Sequence, residues 1–413
     1  MMRLILNKEH ILSMIVTVML LLVLFSAYPY VFCQFLPFPH IKILSVLFLL
    51  IFSAILLIRR KIQLPISPFS EIIFIQCLFW FFFCIYHRDS SYITRVFFLM
   101  IAYLSILCIH NTTTGVRNFL LLYNKIILAM AIGGTLCFLL VLCFSFTPIF
   151  NFENVDGRTA YCFGLTCTNT YIGNVIRYAG YFDEPGAMAY WGIFALLFNR
   201  LFFYNQKFER TLMFCLVFTF SIAYYIQIVF YILFFTIKQV KHFFMLLFCA
   251  AIIVGGIYLS KDTDFDIYRF TIYRFELDES TGTIQGDSRS DLTEKAKKQF
   301  EKAPILGIGA QKFVEIDYMA DNPYEILAKD GIVGEIVTYL PLLVMVFVGL
   351  KRNKDFLYAA IILAMGYLQR PFHVDLIHPM MLYMMVLLTI MYNKSALCRK
   401  NEKTTNINRN SVL

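Results

Sequence analysis

The stretch Thr211–Ile237 reads TLMFCLVFTFSIAYYIQIVFYILFFTI, 27 residues without an Asp, Glu, Lys or Arg. Basic residues flank both ends, Lys207 and Arg210 before it and Lys238 and Lys241 after it. An apolar run of ~18 residues or more reads as a membrane helix, and short basic loops face the cytoplasm. A single crossing would put the two basic flanks on opposite sides. The run is therefore read as two short helices or a re-entrant hairpin, turning near Ser221–Tyr225. It is short for two full spans at ~20 residues each. One long tilted helix is the alternative.

Similar blocks make up most of the chain. Of 413 residues, 59% are hydrophobic and 15% charged, against ~25% charge in soluble domains. Further apolar blocks cover Ile11–Tyr28, Ile41–Ile58, Glu71–Tyr86, Val96–Ile109, Phe119–Phe146, Ala187–Tyr204, Phe243–Leu259, Ile332–Leu350, Phe356–Leu368 and Met380–Tyr392. In lipid every backbone amide needs an internal partner, which leaves helices or closed barrels. Barrel strands alternate apolar and polar residues, and these blocks do not. The reading is an all-α polytopic membrane protein with about 12 membrane segments. Residues 1–393 form a single integral-membrane domain, and 394–413 a polar cytoplasmic tail. No small-residue cleavage site follows the first block, so it is read as a retained helix. The positive-inside rule places Arg59-Arg60-Lys61, Arg117, Lys351-Arg352 and both termini in the cytoplasm. Two large loops, at about 147–186 and 260–331, then share the opposite face. A shorter loop, 369–379, joins them there.

The net charge of +9 sits largely in short clusters that set orientation, so it is not read as nucleic-acid binding. Most of the 11 Cys lie in apolar blocks, where Cys acts as a small hydrophobe. No spacing suggests a metal site. Cys162 and Cys167 fall in the first polar loop. In an oxidising compartment they can pair, and spacing alone leaves that open.

The first loop ends in Arg177-Tyr-Ala-Gly180-Tyr-Phe182-Asp183-Glu184-Pro185-Gly186. It brings a guanidinium and two carboxylates to the mouth of a membrane helix. Capping by Asp183 or Glu184, with Pro185 in the first turn, accounts for one acid. Arg177 and the other acid remain over. The second loop carries Arg274 and Arg289, then Leu292, Ala296 and Phe300 on one helical face. That spacing predicts an interfacial helix with its lysines toward water or lipid phosphates, and Pro304-Ile-Leu-Gly307-Ile-Gly309 stops it. In Asp321-Asn322-Pro323-Tyr324-Glu325, Asn322 and Glu325 fit a capping box, which leaves Asp321 over. The helix is expected to end near Gly331. Arg370 and His373 lie in the short third loop. The spanning blocks are nearly free of acids, which argues against an ion-coupled transporter.

With these residues in view, the chain resembles the O-antigen polymerase (Wzy) type, within the superfamily that includes O-antigen ligases. Arg177 through Gly186 is similar to the family's Arg-x-x-Gly-x-Phe-x-Glu-Pro-Gly segment. Arg289 with the stretch through Pro304–Gly309 resembles its second-loop pattern. Asp321-Asn322 through Gly331 and Gly334 resembles its His-Asn … Gly-x-x-Gly segment. Ligase-like members carry His where this chain has Asp321, which favours polymerase over ligase. The resemblance covers the layout as well, many helices and two main periplasmic loops, a GT-C-like architecture.

The resemblance implies a metal-independent, inverting glycosyltransferase without a cofactor in the bacterial inner membrane. Its substrates would be undecaprenyl-diphosphate-linked oligosaccharides, its surroundings membrane lipids, and a chain-length regulator a further partner. A departing diphosphate needs cations, and Arg offers a planar fork to phosphate oxygens. Arg177 and Arg289 are the first candidates, with Arg370 and Arg274 behind them. Glu184 and Asp321 are the candidate bases for the acceptor hydroxyl. Asp183, Asn322 and His373 complete the expected substrate contacts. The competing readings are an O-antigen ligase and a flippase or transporter of lipid-linked sugars.

Overall fold

A computed structural model describes residues 69–110, 115–153, 158–182, 184–237, 290–317, 319, 322–369 and 376–391, with isolated positions between 14 and 58 and between 251 and 277. Among the elements described end to end, three helices come first, Phe69–His87 (α1), Ser91–His110 (α2) and Gly115–Phe144 (α3). Short strands follow, Phe150–Glu153 (β1), Thr159–Cys162 (β2) and Cys167–Thr168 (β3) in one antiparallel sheet. Tyr171–Ile172 (β4) and Val175–Ile176 (β5) form a small hairpin. Then come Pro185–Phe198 (α4), extended by one π-helical turn to Phe203, Gln206–Leu216 (α5) and Ile222–Phe235 (α6). The second half holds Ser290–Lys302 (α7), Ala310–Ile316 (α8), Glu325–Thr338 (α9), Leu340–Lys351 (α10) and Lys354–Gln369 (α11). The last helix is Ile377–Met391 (α12). Among the described residues, α1, α2, α3, Pro185–Phe203 and Glu325–Lys351 are long and apolar enough to cross a membrane. The protein is membrane-embedded and all-α in its body, and among the described residues the strands lie in the first polar loop.

Helix α4 is the centre of the bundle. It is apolar on every side, and every residue except Gly186 is buried, as expected of a helix surrounded by others. α3, α5 and α6 pack on it, and the Tyr123 hydroxyl of α3 donates to Trp191 O (2.7 Å).

The 211–237 run is broken. α5 ends at Leu216, a 3-10 turn covers Val217–Thr219, and Phe220 takes a left-handed conformation (φ 48°). Ser221 then caps α6 by accepting from Tyr224 N. The two arms fold back on one another. Tyr231 of α6 donates to Glu209 of α5 (2.8 Å), and Tyr224 donates to Met213 O (2.7 Å). Arg200, at the far end of α4, donates to Phe235 O (2.8 Å) and lies 3.8 Å from Glu209. The open ends of both arms thus meet at one place, as the basic flanks demand. The turn comes slightly earlier than Ser221–Tyr225.

Helix α9 is interrupted at Gly331 (φ 68°, ψ −171°). The break matches the expected helix end, but the helix resumes beyond it. The segment 304–309 does more than stop α7, because it also supplies the interruption with backbone partners. Ile308 N donates to Ala328 O and Gly309 N to Lys329 O (both 2.9 Å). In return Ile332 N donates to Pro304 O (2.9 Å) and Val333 N to Ile305 O (3.1 Å). Side chains do not fit this crossing. A Cβ on Gly307 would sit 2.2 Å from Lys329 O, and one on Gly331 2.3 Å from Ile305 O.

Two local expectations need correction. The apolar stripe of α7 faces protein, not lipid. Ala296 is buried against Phe313, Met319 and Ala328, with Phe300 beside Tyr324. On its polar side Lys295 pairs with Asp317 (2.5 Å) and Lys298 with Glu294 (2.7 Å). The capping box does not form either. Asn322 Oδ1 accepts from Tyr324 N (2.9 Å) inside a turn, and Glu325 pairs with Lys329 (2.5 Å). An Asx turn two residues long wins over a cap three residues away.

Gly307→Ala and Gly331→Ala each force a Cβ into backbone at a left-handed position. Each should cost on the order of 1–3 kcal/mol, read as a lower unfolding midpoint of detergent-solubilised protein. Gly255→Ala, where a Cβ would meet open space, should leave the midpoint in place.

Candidate functional site

The segment from Arg177 to Gly186 is held from below. Arg177 N donates to Thr170 O (3.2 Å) and the Thr168 hydroxyl to Arg177 O (2.5 Å). The Tyr178 ring is buried and its hydroxyl donates to Cys215 O (2.8 Å) near the hairpin tip. The Arg177 side chain is half-buried, and its Nε donates to Thr219 O (3.2 Å), the last residue of the tip. The segment is thus seated on the α5–α6 turn.

Glu184 occupies the N-cap position of α4 with extended backbone (φ −153°, ψ 160°), but its carboxylate makes no capping hydrogen bond. Capping therefore does not account for this acid. Pro185, at the first helical position, has no N–H to satisfy. Ala187 N and Met188 N donate to Glu184 O (3.1 and 3.3 Å), and the positive end of the helix dipole lies at Glu184. Glu184 is thus held at the mouth of the most buried of the described helices, seven residues after Arg177.

A second polar cluster lies where α2 begins. Asp89, Tyr92 and Arg95 fall at three-residue spacing, so they share one face. Arg95 pairs with Asp330 of α9 (2.6 Å), both side chains buried. Tyr92 donates to the other Asp330 oxygen (2.6 Å) and accepts from Ala310 N (3.2 Å). The guanidinium also stacks on Trp80 (4.6 Å) and Tyr92 (4.7 Å). Asp89 accepts from Ser91 N and Gln311 N (both 2.8 Å), and His87 Nε2 donates to Leu306 O (2.9 Å). Burial pushes the Asp89 carboxyl up. Hydrogen bonds from Ser91 and Gln311, with the Arg95 charge, outweigh that and hold it below the ordinary carboxylate range.

Arg95 also borders a cavity with Gln76, Trp80, Thr338, Tyr367 and His378. Its volume, about 40 Å³, accommodates a few waters, not a sugar. His378 lies against the rings of Tyr367 (4.9 Å) and Tyr190 (5.8 Å), so the start of α12 reaches the side of α4.

Of the residues singled out in the sequence, Arg177 and Glu184 are brought into one segment. Asn322 is fully buried, with its amide nitrogen on Met319 O (2.5 Å) and its oxygen on Tyr324 N. These bonds hold the turn before α9. Asp183, Arg289, Asp321, Arg370 and His373 lie outside the described residues, as does the side chain of Arg274. The buried acids were missed. Asp330 and Glu335 sit inside the apolar helix Glu325–Lys351, and Glu209 is buried in α5. The spans are therefore less free of acids than their composition suggests. Among the described residues no group of three or more His, Cys, Asp or Glu is placed to hold a metal ion. No protein-family model and no curated protein matches this sequence.

Removing one member of a buried ion pair strands the other, at about 3–5 kcal/mol. Asp330→Leu and Arg95→Met should each lower the unfolding midpoint sharply, and the double variant should recover much of the loss. Asp89 behaves as a depressed carboxylate. Its contribution holds above the unfolded value and is lost as pH falls through the folded one. The wild-type midpoint should therefore drop more steeply below pH ~4 than that of Asp89→Asn.

Proposed function

We propose that this chain is a membrane glycosyltransferase of the O-antigen polymerase type. It joins undecaprenyl-diphosphate-linked oligosaccharide units at the periplasmic face of a bacterial inner membrane. The observation that carries the reading is the Arg177–Glu184 display. The guanidinium is seated on the α5–α6 tip through Nε and Thr219 O, and the Glu184 carboxylate stands at a helix mouth without serving as its cap. A diphosphate leaving group needs the first, and an acceptor hydroxyl needs the second.

The other two segments of the resemblance support it. Arg289 immediately precedes α7, and Asp321 immediately precedes the turn into α9; these two helices pack together. The glycine-bearing stretches at 304–309 and 328–333 interlock through four backbone hydrogen bonds. In this reading Arg177 and Arg289 neutralise the diphosphate, and Glu184 or Asp321 takes the acceptor proton. Arg370 and Arg274 are secondary phosphate contacts, and Asp183 and His373 sugar contacts. The chain has about 12 membrane segments, with both termini cytoplasmic.

The buried charges favour a transporter of lipid-linked sugars as the second reading, since ionisable groups in spans mark transport paths. Here they are paired internally, Arg95 with Asp330 and Lys329 with Glu325, which suits a structural role better.

The test is complementation of a strain lacking its O-antigen polymerase. Arg177→Ala and Glu184→Gln should leave lipopolysaccharide with a single repeat unit, a loss of at least ~100-fold in polymer. Arg177→Lys should rescue poorly, for want of the bidentate fork. Full-length ladders from Arg177→Ala at normal protein level would remove Arg177 from the mechanism. Loss of all repeats on the lipid A core, with free polymer still made, would point to a ligase.

A further inference from the structure

Cys162 and Cys167 stand directly opposite each other in the β2–β3 register. The direction of their backbone bonds shows which kind of pair this is. Cys162 O accepts from Ile149 N (2.8 Å) on one side. Cys167 N donates to Gly180 O (2.8 Å) and Cys167 O accepts from Ala179 N (2.9 Å) on the other. The neighbouring rung, Phe163 N to Thr166 O (2.9 Å), closes the hairpin. The cysteines therefore form a non-hydrogen-bonded pair. Such pairs bring the Cα atoms to ~4.5 Å and the side chains closest together. That separation lies within the range a disulfide spans, ~4.4–6.8 Å. Both residues are buried and pack against one another, with Phe152 and Tyr181 beside them.

We propose that Cys162 and Cys167 are a disulfide site, oxidised in the mature protein, that staples the platform beneath the Arg177 segment. The proposal rests on the first loop facing the oxidising side of the membrane. It does not depend on the sugar chemistry.

The chemistry balances with a disulfide-bearing protein oxidant of that compartment. The Cys162 thiolate attacks one sulfur of the oxidant's disulfide, giving a mixed disulfide and releasing one oxidant thiol. The Cys167 thiolate then attacks the Cys162 sulfur, closing the S–S bond and releasing the second. Two protons leave with the two thiols, and the oxidant takes the two electrons. Cys162 is suited to go first. The hydrogen bond from the Cys167 thiol, opposed by burial and aided by the Gly164 backbone N–H, lowers its pKa to about 6. At neutral pH it is largely thiolate, the nucleophilic form.

The staple has a mechanical target. Gly180 and Ala179 hang on the backbone of Cys167, Thr166 donates to Gly180 O (3.3 Å), and Tyr181 donates to Gly164 O (2.7 Å). Three of the residues between the two cysteines and the helix mouth, Ala179, Gly180 and Tyr181, are thus tied to the hairpin that the bond would close.

Trypsin isolates the question, because the peptide Thr159–Arg177 contains these two cysteines and no other. Membranes are acid-quenched, denatured and alkylated with N-ethylmaleimide, with and without prior reduction. The expected peptide carries no adduct and is lighter by two hydrogens without reduction, and carries two adducts after it. Two adducts without reduction overturn the proposal. The placement is read separately with Asn174→Cys in a Cys162→Ser/Cys167→Ser background, using a membrane-impermeant maleimide on intact spheroplasts. Labelling of Asn174→Cys together with a reduced wild-type peptide refutes the disulfide and keeps the placement. Labelling only after permeabilisation refutes both.

Discussion

The ion pair between Arg95 and Asp330 joins the two halves of this protein. One partner belongs to the α1–α2 hairpin, the other to the turn just before α9 breaks. Charges buried this deeply are expensive, and here nearly every group around them contributes something back. Tyr92 donates to the second carboxylate oxygen, and Trp80 and Tyr92 offer their ring faces to the guanidinium. The pair therefore specifies an arrangement more than it adds stability, because only one docking of α9 on α2 neutralises both charges.

The interruption of α9 follows the same logic at the level of the backbone. A helix broken within an apolar stretch exposes amides and carbonyls that lipid cannot satisfy. The 304–309 segment is laid against the break and satisfies them. That solution works only if two main chains approach to contact distance, so Gly307 and Gly331 stand where they cross. Alanine at either place would separate the chains that the ion pair draws together. Asp89 and His87 complete the junction by holding the backbone of Gln311 and Leu306.

Some of this was legible in the residues and some was not. The break in 211–237 followed from charge on its flanks, because topology is a global constraint that short basic loops report directly. The interruption at Gly331 was marked by glycine. The first-loop strands were invisible, being two to four residues long and set by pairing rather than by pattern. Arg95 reads as an ordinary flanking charge before an apolar block, and only its distant partner shows that it is buried. Asn322 misled for a local reason. Asn-Pro-Tyr-Glu suits a capping box in every residue, yet the shorter turn captured the side chain first. At the site itself, Arg177 and one of the two acids Asp183 and Glu184 stood out as charges left over once capping was accounted for. The Glu184 carboxylate makes no capping bond.

The α5–α6 hairpin has a consequence for depth. Helices of 11 and 14 residues rise ~16 and ~21 Å, while the hydrocarbon layer is ~30 Å thick. Under the proposed topology, with the open ends of the arms near one membrane surface, the tip at Thr219 would stop about 10 Å short of the other. Arg177 is bonded to that tip through Thr219 O. Under that topology its guanidinium would lie below the plane of the surrounding lipid phosphates. A charged headgroup meeting it would be drawn downward from its own leaflet surface, out of bulk water, while its hydrocarbon tail stays in lipid.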